Sequence, residues 1–140
     1  METFARLIKR LQELELPKGK YVIFGSGPLA IRKIRDTHDL DVIVTKDVFE
    51  DFKNKGWKLR DVGYSRFLEK DGIELWYEWG PGEWNVEELI RDADIIDGMS
   101  FVRLESVLEW KKRNWRDKRR EKDLKDVKTI EAYMASSKSD

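Results

Sequence analysis

The feature that most constrains the fold is the segment from residue 21 to residue 44. Residues 21–24 and 42–44 are apolar and β-branched or aromatic, which predicts two short strands. Between them lie Gly25 and Ser26, followed by a segment that begins at Pro28 and predicts a short helix. With the remaining elements, this unit predicts an α+β fold.

The second of these strands opens with two aspartates, Asp39 and Asp41. Side chains on a strand alternate between faces, so both carboxylates point the same way, roughly 6.6 Å apart along the strand. At about 4 Å, two such charges would repel by about 4 kcal/mol at an effective dielectric near 20. This pair therefore predicts a site for a hard cation, Mg²⁺ or Mn²⁺, with Asp39 and Asp41 as its ligands.

The turn before the helix has the composition of a phosphate site. Gly25 and Gly27 leave room for a ligand close to the backbone, and a helix that starts near Pro28 presents free N–H groups at the turn. Ser26 is suited to cap this helix, to contact a phosphate oxygen, or to do both. A metal site opposite a phosphate cradle is the layout that phosphoryl or nucleotidyl transfer requires.

The order of these elements resembles the signature of the polymerase-β-like nucleotidyltransferase superfamily. In its small prokaryotic branch, which includes minimal nucleotidyltransferases and abortive-infection toxins, a Gly-Ser turn and a helix precede the string Arg-x-Thr-x-Asp-h-Asp, where h is apolar. Residues 35–41 match this string position by position. Segments 97–111 and 119–127 are similar to later elements of the family, so the resemblance covers roughly residues 20–130.

The resemblance implies a polymerase-β-like nucleotidyltransferase fold, with a mixed β-sheet and helices packed mainly on one face. It also implies transfer of a nucleoside monophosphate from an NTP to a hydroxyl or phosphate on RNA, protein or a small molecule. The acceptor pocket would be completed by a partner chain, a second copy or the target, as in a toxin–antitoxin component. The implied catalytic residues are Asp39, Asp41, Glu74 and Glu78, and the implied nucleotide-binding residues are Gly25, Ser26, Arg35, Lys111 and Lys122.

The sequence differs from the family pattern at the third acid. The family pattern places a carboxylate where this chain has Trp76. Alternation puts Glu74, Trp76 and Glu78 on one face of the predicted strand, so either glutamate would replace the acid with a shift of about 6.6 Å. This leaves open an alternative function, a catalytically inactive nucleotide-binding or protein-interaction module, and also a purely structural protein.

Several other features have two interpretations. The basic segment 111–128 is either a phosphate-binding surface or a solvated helical face with interleaved acids. The tryptophans at 76, 79 and 84 either stack on a base or pack in the core. His38 is more typical of a strand edge than of a catalytic base, and Arg35 either binds phosphate or anchors the strand that carries the aspartates.

Composition excludes several classes of protein. The chain has 28 basic and 28 acidic residues. This balance argues against a protein that coats nucleic acid, since such proteins are normally basic overall. It has no cysteine, which excludes disulfides and thiol chemistry, and one histidine, which excludes multi-histidine metal sites. No apolar stretch approaches the roughly 20 residues that span a bilayer, so we predict a cytoplasmic protein that does not bind membranes.

We predict one domain over residues 1–135, with a core at 20–103, a helical pair at 104–134 and a disordered tail at 136–140. The predicted helices outside the Gly-Ser unit are 2–15, 46–55, 86–93, 104–115 and 118–134. The further predicted strands are 57–62, 65–70, 72–79 and a segment near 101–102, with a tight turn at Asp71 and Gly72 joining two of them.

Overall fold

The computed structural model describes residues 3–63, 65–77 and 85–138. Within these residues the chain forms seven strands and six helices. The strands are β1 (Tyr21–Phe24), β2 (Leu40–Val44), β3 (Lys58–Asp61), β4 (Arg66–Lys70), β5 (Ile73–Trp76), β6 (Asp94–Ile96) and β7 (Met99–Phe101). The helices are α1 (Phe4–Glu13), α2 (Gly27–Ile31), α3 (Lys46–Asn54), α4 (Val86–Arg91), α5 (Leu104–Lys118) and α6 (Glu121–Lys138).

The strands form one mixed sheet in the order β3-β4-β5-β2-β1-β7-β6. The central strand β2 is antiparallel to β1 and parallel to β5, and β1 is parallel to β7. The predicted turn between β4 and β5 is confirmed. Asp71 and Gly72 have φ values of 50° and 85°, as in the two-residue turns that match the twist of a hairpin.

Both faces of the sheet are covered, because the buried strand residues alternate between two separate apolar clusters. One cluster contains Ile23 and Leu75 and packs against α1 and α3. The other contains Phe24 and Trp76 and packs against the remaining helices through residues such as Leu29, Leu89, Val107 and Ile130. Four of the six described helices thus contribute to one face, in agreement with the prediction that helices pack mainly on one side.

Two elements differ from the sequence prediction. Strand β6 was not predicted, because its three residues have no apolar alternation and Ile95 at the sheet edge is 66% exposed. Helix α6 continues to Lys138, so the predicted disordered tail is wrong for residues 136–138, and residues 139 and 140 lie outside the described part. Of the described helices, none is long and apolar enough to cross a membrane.

Candidate active site

Three carboxylates meet where β2 begins beside β5. The parallel pairing of these strands places Asp41 directly across from Glu74, and Asp39 precedes the first residue of β2. One oxygen from each of the three side chains lies within 4.8 Å of the others. The sequence-predicted site residues Asp39, Asp41 and Glu74 are therefore brought together, whereas Glu78 lies outside the described residues.

The sequence predicted that Glu74 would be displaced along the strand from the position of the third acid. The register of β5 against β2 instead places Glu74 beside Asp41. Glu74 pairs with Asp41 itself. Trp76 pairs with Ile43, two residues further along both strands. The Trp76 ring is buried and stacks on Phe67 with ring centroids 4.3 Å apart. Of the tryptophan interpretations, core packing therefore applies to Trp76, while Trp79 and Trp84 lie outside the described residues.

Burial and neighbouring negative charge raise the pKa values of two of these carboxylates, Asp41 and Glu74. Burial raises the pKa of Asp41 well above its usual range, and the negative charges of Glu74 and Asp39 raise it further, while the positive charge of Lys111 lowers it. The pKa of Glu74 is also raised, mainly by burial and then by the negative charge of Asp39, while a side-chain hydrogen bond with Asp41 opposes this rise. Three converging oxygen ligands with unfavourable mutual repulsion fit a hard divalent cation such as Mg²⁺ or Mn²⁺.

This electrostatic strain predicts a pH-dependent effect of Asp41→Asn on stability. A carboxyl group whose pKa is raised by folding holds its proton more tightly in the folded state. Its contribution is therefore most favourable below the ordinary pKa of about 4 and is lost as pH rises through the raised pKa. Without divalent metal, we expect Asp41→Asn to be increasingly more stable than the wild type as pH rises from about 4 to 8, measured by urea unfolding. A stability difference that is constant across this range would contradict the prediction.

The close approach of Gly25 to Asp41 explains why this turn has a glycine. Gly25 has a φ of 67°, and a Cβ atom at this position would lie 2.7 Å from Asp41 Oδ2. Any larger residue would therefore push the aspartate oxygen as well as strain the backbone. The turn and the carboxylate cluster are in direct contact.

Helix α2 starts next to this contact. Ser26 is its N-cap and Pro28 lies in its first turn. Within the described residues, the Ser26 side chain makes no capping hydrogen bond. Its hydroxyl thus remains available next to Gly25, where the sequence predicts a phosphate.

The loop that leads to Asp39 is held by a series of hydrogen bonds. The Arg35 guanidinium lies 2.8 Å from an oxygen of Asp126 on α6, and its Nε donates to the carbonyl of Asp36. The buried Thr37 hydroxyl donates to the carbonyl of Asp39 at 2.9 Å. Of the two interpretations of Arg35, anchoring is the one for which the structure shows a contact.

Lys111 is buried between α5 and α6 instead of lying on a basic surface. Its side chain is 4% exposed, and its Nζ lies 2.9 Å from Asp126 and 3.7 Å from Asp123. Arg120 lies 3.4 Å from the other oxygen of Asp123. Neither Asp123 oxygen has a hydrogen-bond partner in the described part of the chain. The positive charge of Lys111 also lowers the pKa of Asp41.

Two further residues considered in the sequence analysis lie at the surface. Lys122 is exposed on α6, one residue before the buried Asp123, and His38 is exposed immediately before Asp39. The structure gives neither residue a described contact with the three carboxylates. The nucleotide-binding role of Lys122 thus remains a prediction.

Sequence reasoning missed the contact between Arg35 and Asp126, which are 91 residues apart. A weak signal was present in α5. The inward-facing positions of this helix are apolar at Leu104 and Val107 but polar at Lys111 and Asn114. A change from apolar to polar residues along the buried face of a helix indicates that these positions serve a purpose other than apolar packing.

Comparisons with known proteins identify the architecture. No family model matches the chain, and no curated protein sequence matches it significantly. Among solved structures, the chain is similar to ANT(2")-Ia in a complex with adenylyl-2"-tobramycin, with 14% sequence identity and a TM-score of 0.55. The similarity covers 96% of this chain and 88% of that chain. With its mixed seven-stranded sheet and six described helices, the chain therefore has the polymerase-β-like nucleotidyltransferase fold.

Proposed function

We propose that this protein is a metal-dependent nucleotidyltransferase, which moves a nucleoside monophosphate from an NTP to an acceptor. The observation that carries this proposal is the convergence of Asp39, Asp41 and Glu74 next to the Gly25 turn. Three acidic ligands and a helix start on one side of a sheet can hold a metal and a triphosphate together. The fold supports the same reaction class.

Each residue has a proposed role in this reaction. Asp39 and Asp41 hold Mg²⁺ or Mn²⁺, which when bound supplies Lewis-acid stabilisation of the phosphoryl oxygens. Gly25 and Ser26 receive the β- and γ-phosphates. The acceptor hydroxyl forms a bond to the α-phosphorus, the bond to pyrophosphate breaks, and Glu74 takes the hydroxyl proton. A raised pKa makes Glu74 a better proton acceptor than an ordinary carboxylate at neutral pH.

The cations near the site have an electrostatic role in this proposal. Lys111 places a buried positive charge on the side of the carboxylates, where it offsets negative charge as pyrophosphate leaves. Lys122 is free to approach the departing phosphates from the surface of α6. Glu78 remains a candidate for a further acid.

We propose a small molecule as the acceptor, ahead of RNA or protein. The structural neighbour was crystallised with adenylyl-2"-tobramycin, in which an adenylyl group is attached to a small molecule. This neighbour supports the general fold and not the abortive-infection toxin-like branch, so a toxin–antitoxin role is the less favoured proposal. A cytoplasmic location and a second chain at the acceptor pocket remain part of the prediction.

Nucleotide titration tests this function without knowledge of the acceptor. We expect ATP, GTP, CTP or UTP to bind the wild type in the presence of Mg²⁺ and to bind much more weakly without it. Asp39→Asn/Asp41→Asn should lose the metal-dependent part of this binding, since both charged metal ligands become neutral amides of similar size. Isothermal titration calorimetry measures both quantities.

A matched control distinguishes the site from nonspecific charge effects. Asp51→Asn/Asp61→Asn removes the same charge from exposed positions in α3 and β3 and should leave nucleotide binding unchanged. Absence of Mg²⁺-dependent binding of all four nucleotides to the wild type would rule out the proposed enzyme. The geometry favours the enzyme over the inactive-module alternative, because Glu74 and not Trp76 lies next to Asp41.

A further inference from the structure

One carboxylate connects three distant segments of the chain behind the candidate site. Asp126 on α6 has a 5% exposed side chain. Its oxygens lie 2.9 and 2.8 Å from Nη1 of Arg35, which belongs to the loop before β2. The same carboxylate lies 2.9 Å from Nζ of Lys111 on α5. Asp126 therefore joins both C-terminal helices to the loop that carries Asp39.

The loop transmits this connection to Asp39. Arg35 donates to the Asp36 carbonyl at 3.2 Å. The Asp36 side chain accepts from the Thr37 backbone N–H at 2.9 Å, and the Thr37 hydroxyl donates to the Asp39 carbonyl at 2.9 Å. Asp39 itself lies before the first residue of β2, so the sheet ladder does not fix it. Its position depends on the hydrogen-bonded loop that Arg35 anchors.

The buried charged residues of α5 and α6 lie where they can do more than join the two helices. A buried ion pair is often no more stabilising than well-packed apolar residues of similar volume. Leu104, Val107 and Ile130 supply such apolar packing on the same two helices. The charged residues Lys111, Asp123 and Asp126, together with Asn114, occupy further buried positions of these helices, and Asp126 contacts Arg35 of the loop before β2. The charged part of the helix pair is thus the part that contacts the loop carrying Asp39.

We propose that Asp126 is a positioning residue for the metal site. Through Arg35 it fixes the loop that carries Asp39, and through Lys111 it ties this anchor to helix α5. This inference rests on the proposed function for its metal-binding consequence, whereas the anchoring of the loop is independent of any ligand. Residues that orient metal ligands from behind typically change metal affinity by about 10- to 100-fold when they are removed.

The test uses Mn²⁺ alone as the probe, with binding measured by electron paramagnetic resonance. We expect Asp126→Asn and Arg35→Gln each to weaken Mn²⁺ binding by about 10-fold or more. The double variant should bind no more weakly than Asp126→Asn, because both changes break one contact. Arg35→Lys retains a cation for Asp126 and should recover part of the affinity. Since the titration contains no nucleotide, a direct contact of Arg35 with phosphate would not produce these losses.

Lys112→Gln/Glu131→Gln is the matched control. These residues form an exposed ion pair of 3.4 Å between the same two helices, and within the described residues no hydrogen bond or ion pair joins either of them to the loop. The control should bind Mn²⁺ like the wild type. Thermal unfolding of every variant verifies folding, and Arg35→Gln provides the test if Asp126→Asn does not fold, because the Arg35 side chain is 30% exposed.

Hydrogen exchange of the metal-free protein tests the anchoring separately. Peptides that cover residues 35–41 should exchange faster in Arg35→Gln than in the wild type or the control. Unchanged exchange, or unchanged Mn²⁺ affinity in a wild type that binds Mn²⁺, would overturn the positioning role. A wild type that binds no Mn²⁺ would instead overturn the proposed function, while faster loop exchange in the variant would still support the anchor.

Discussion

Gly25→Ala is expected to remove metal-dependent nucleotide binding almost completely. The added Cβ would lie 2.7 Å from Asp41 Oδ2, closer than real Cβ atoms approach an oxygen. Because Asp41 is held in β2 between two paired strands, its carboxylate has to rotate away from Asp39 and Glu74. We expect a loss of about 100-fold or more in Mg²⁺-dependent ATP affinity, since about 1 Å of misplacement in a functional site can have an effect of this size. Calorimetric titration measures it.

Gly19→Ala is the control that isolates the contact with Asp41. Gly19 has a φ of 80°, so alanine there meets the same left-handed backbone strain, but no atom of the described residues lies within 4 Å of its added Cβ. Both variants should lose about 1 kcal/mol of unfolding free energy from this strain. Only Gly25→Ala should also lose ATP binding. Equal binding by the two variants would show that the turn does not limit the position of Asp41.

Lys111→Met is expected to produce the largest loss of stability. The substitution retains an unbranched side chain of similar length but removes the cation that faces two buried aspartates, Asp123 and Asp126. Breaking a buried ion pair by removing one partner typically costs about 3–5 kcal/mol, because the remaining charge stays buried. A small domain has a total unfolding free energy of about 5–15 kcal/mol. Urea unfolding of the purified variant measures the change.

The adjacent Lys112 offers a direct comparison. Its side chain is 53% exposed and pairs with Glu131 at 3.4 Å, so Lys112→Met should cost no more than about 1 kcal/mol. In Lys111→Met/Asp123→Asn one of the two aspartates that faced the lost cation is also neutralised, and part of the lost stability should return. Similar losses for the Lys111 and Lys112 variants would mean that the buried cation is not required to compensate these aspartates.

The local part of the site was predictable from sequence, because short-range chemistry determines it. The apolar residues 21–24 predicted β1 at its observed bounds. The combination of Gly25, Ser26 and Pro28 predicted the turn and the start of α2. Alternation predicted that Asp39 and Asp41 point the same way, and a carboxylate oxygen of each lies within 4.8 Å of the other. These features depend on neighbours within a few positions.

The remaining part depends on contacts between distant segments. The alignment of β5 with β2 decides which acid accompanies Asp41, and a strand's own alternation gives its faces but not its register against a neighbour. Helical periodicity likewise cannot reveal that Asp126 contacts Arg35, since the partner lies 91 residues away. Strand β6 was missed because its pairing with β7, and not an apolar pattern, defines it.

The pairing of Asp41 with Glu74 also has a consequence for recognising related chains. A sequence pattern that requires an acid two residues later, where Trp76 lies, would reject this protein although its three oxygen donors converge. The spatial neighbour of the second aspartate is thus a more reliable criterion than a fixed distance from the Asp71-Gly72 turn. A relative with the acid two residues later would reach the same arrangement of ligands only if the register of its β5 against β2 also moved by two residues.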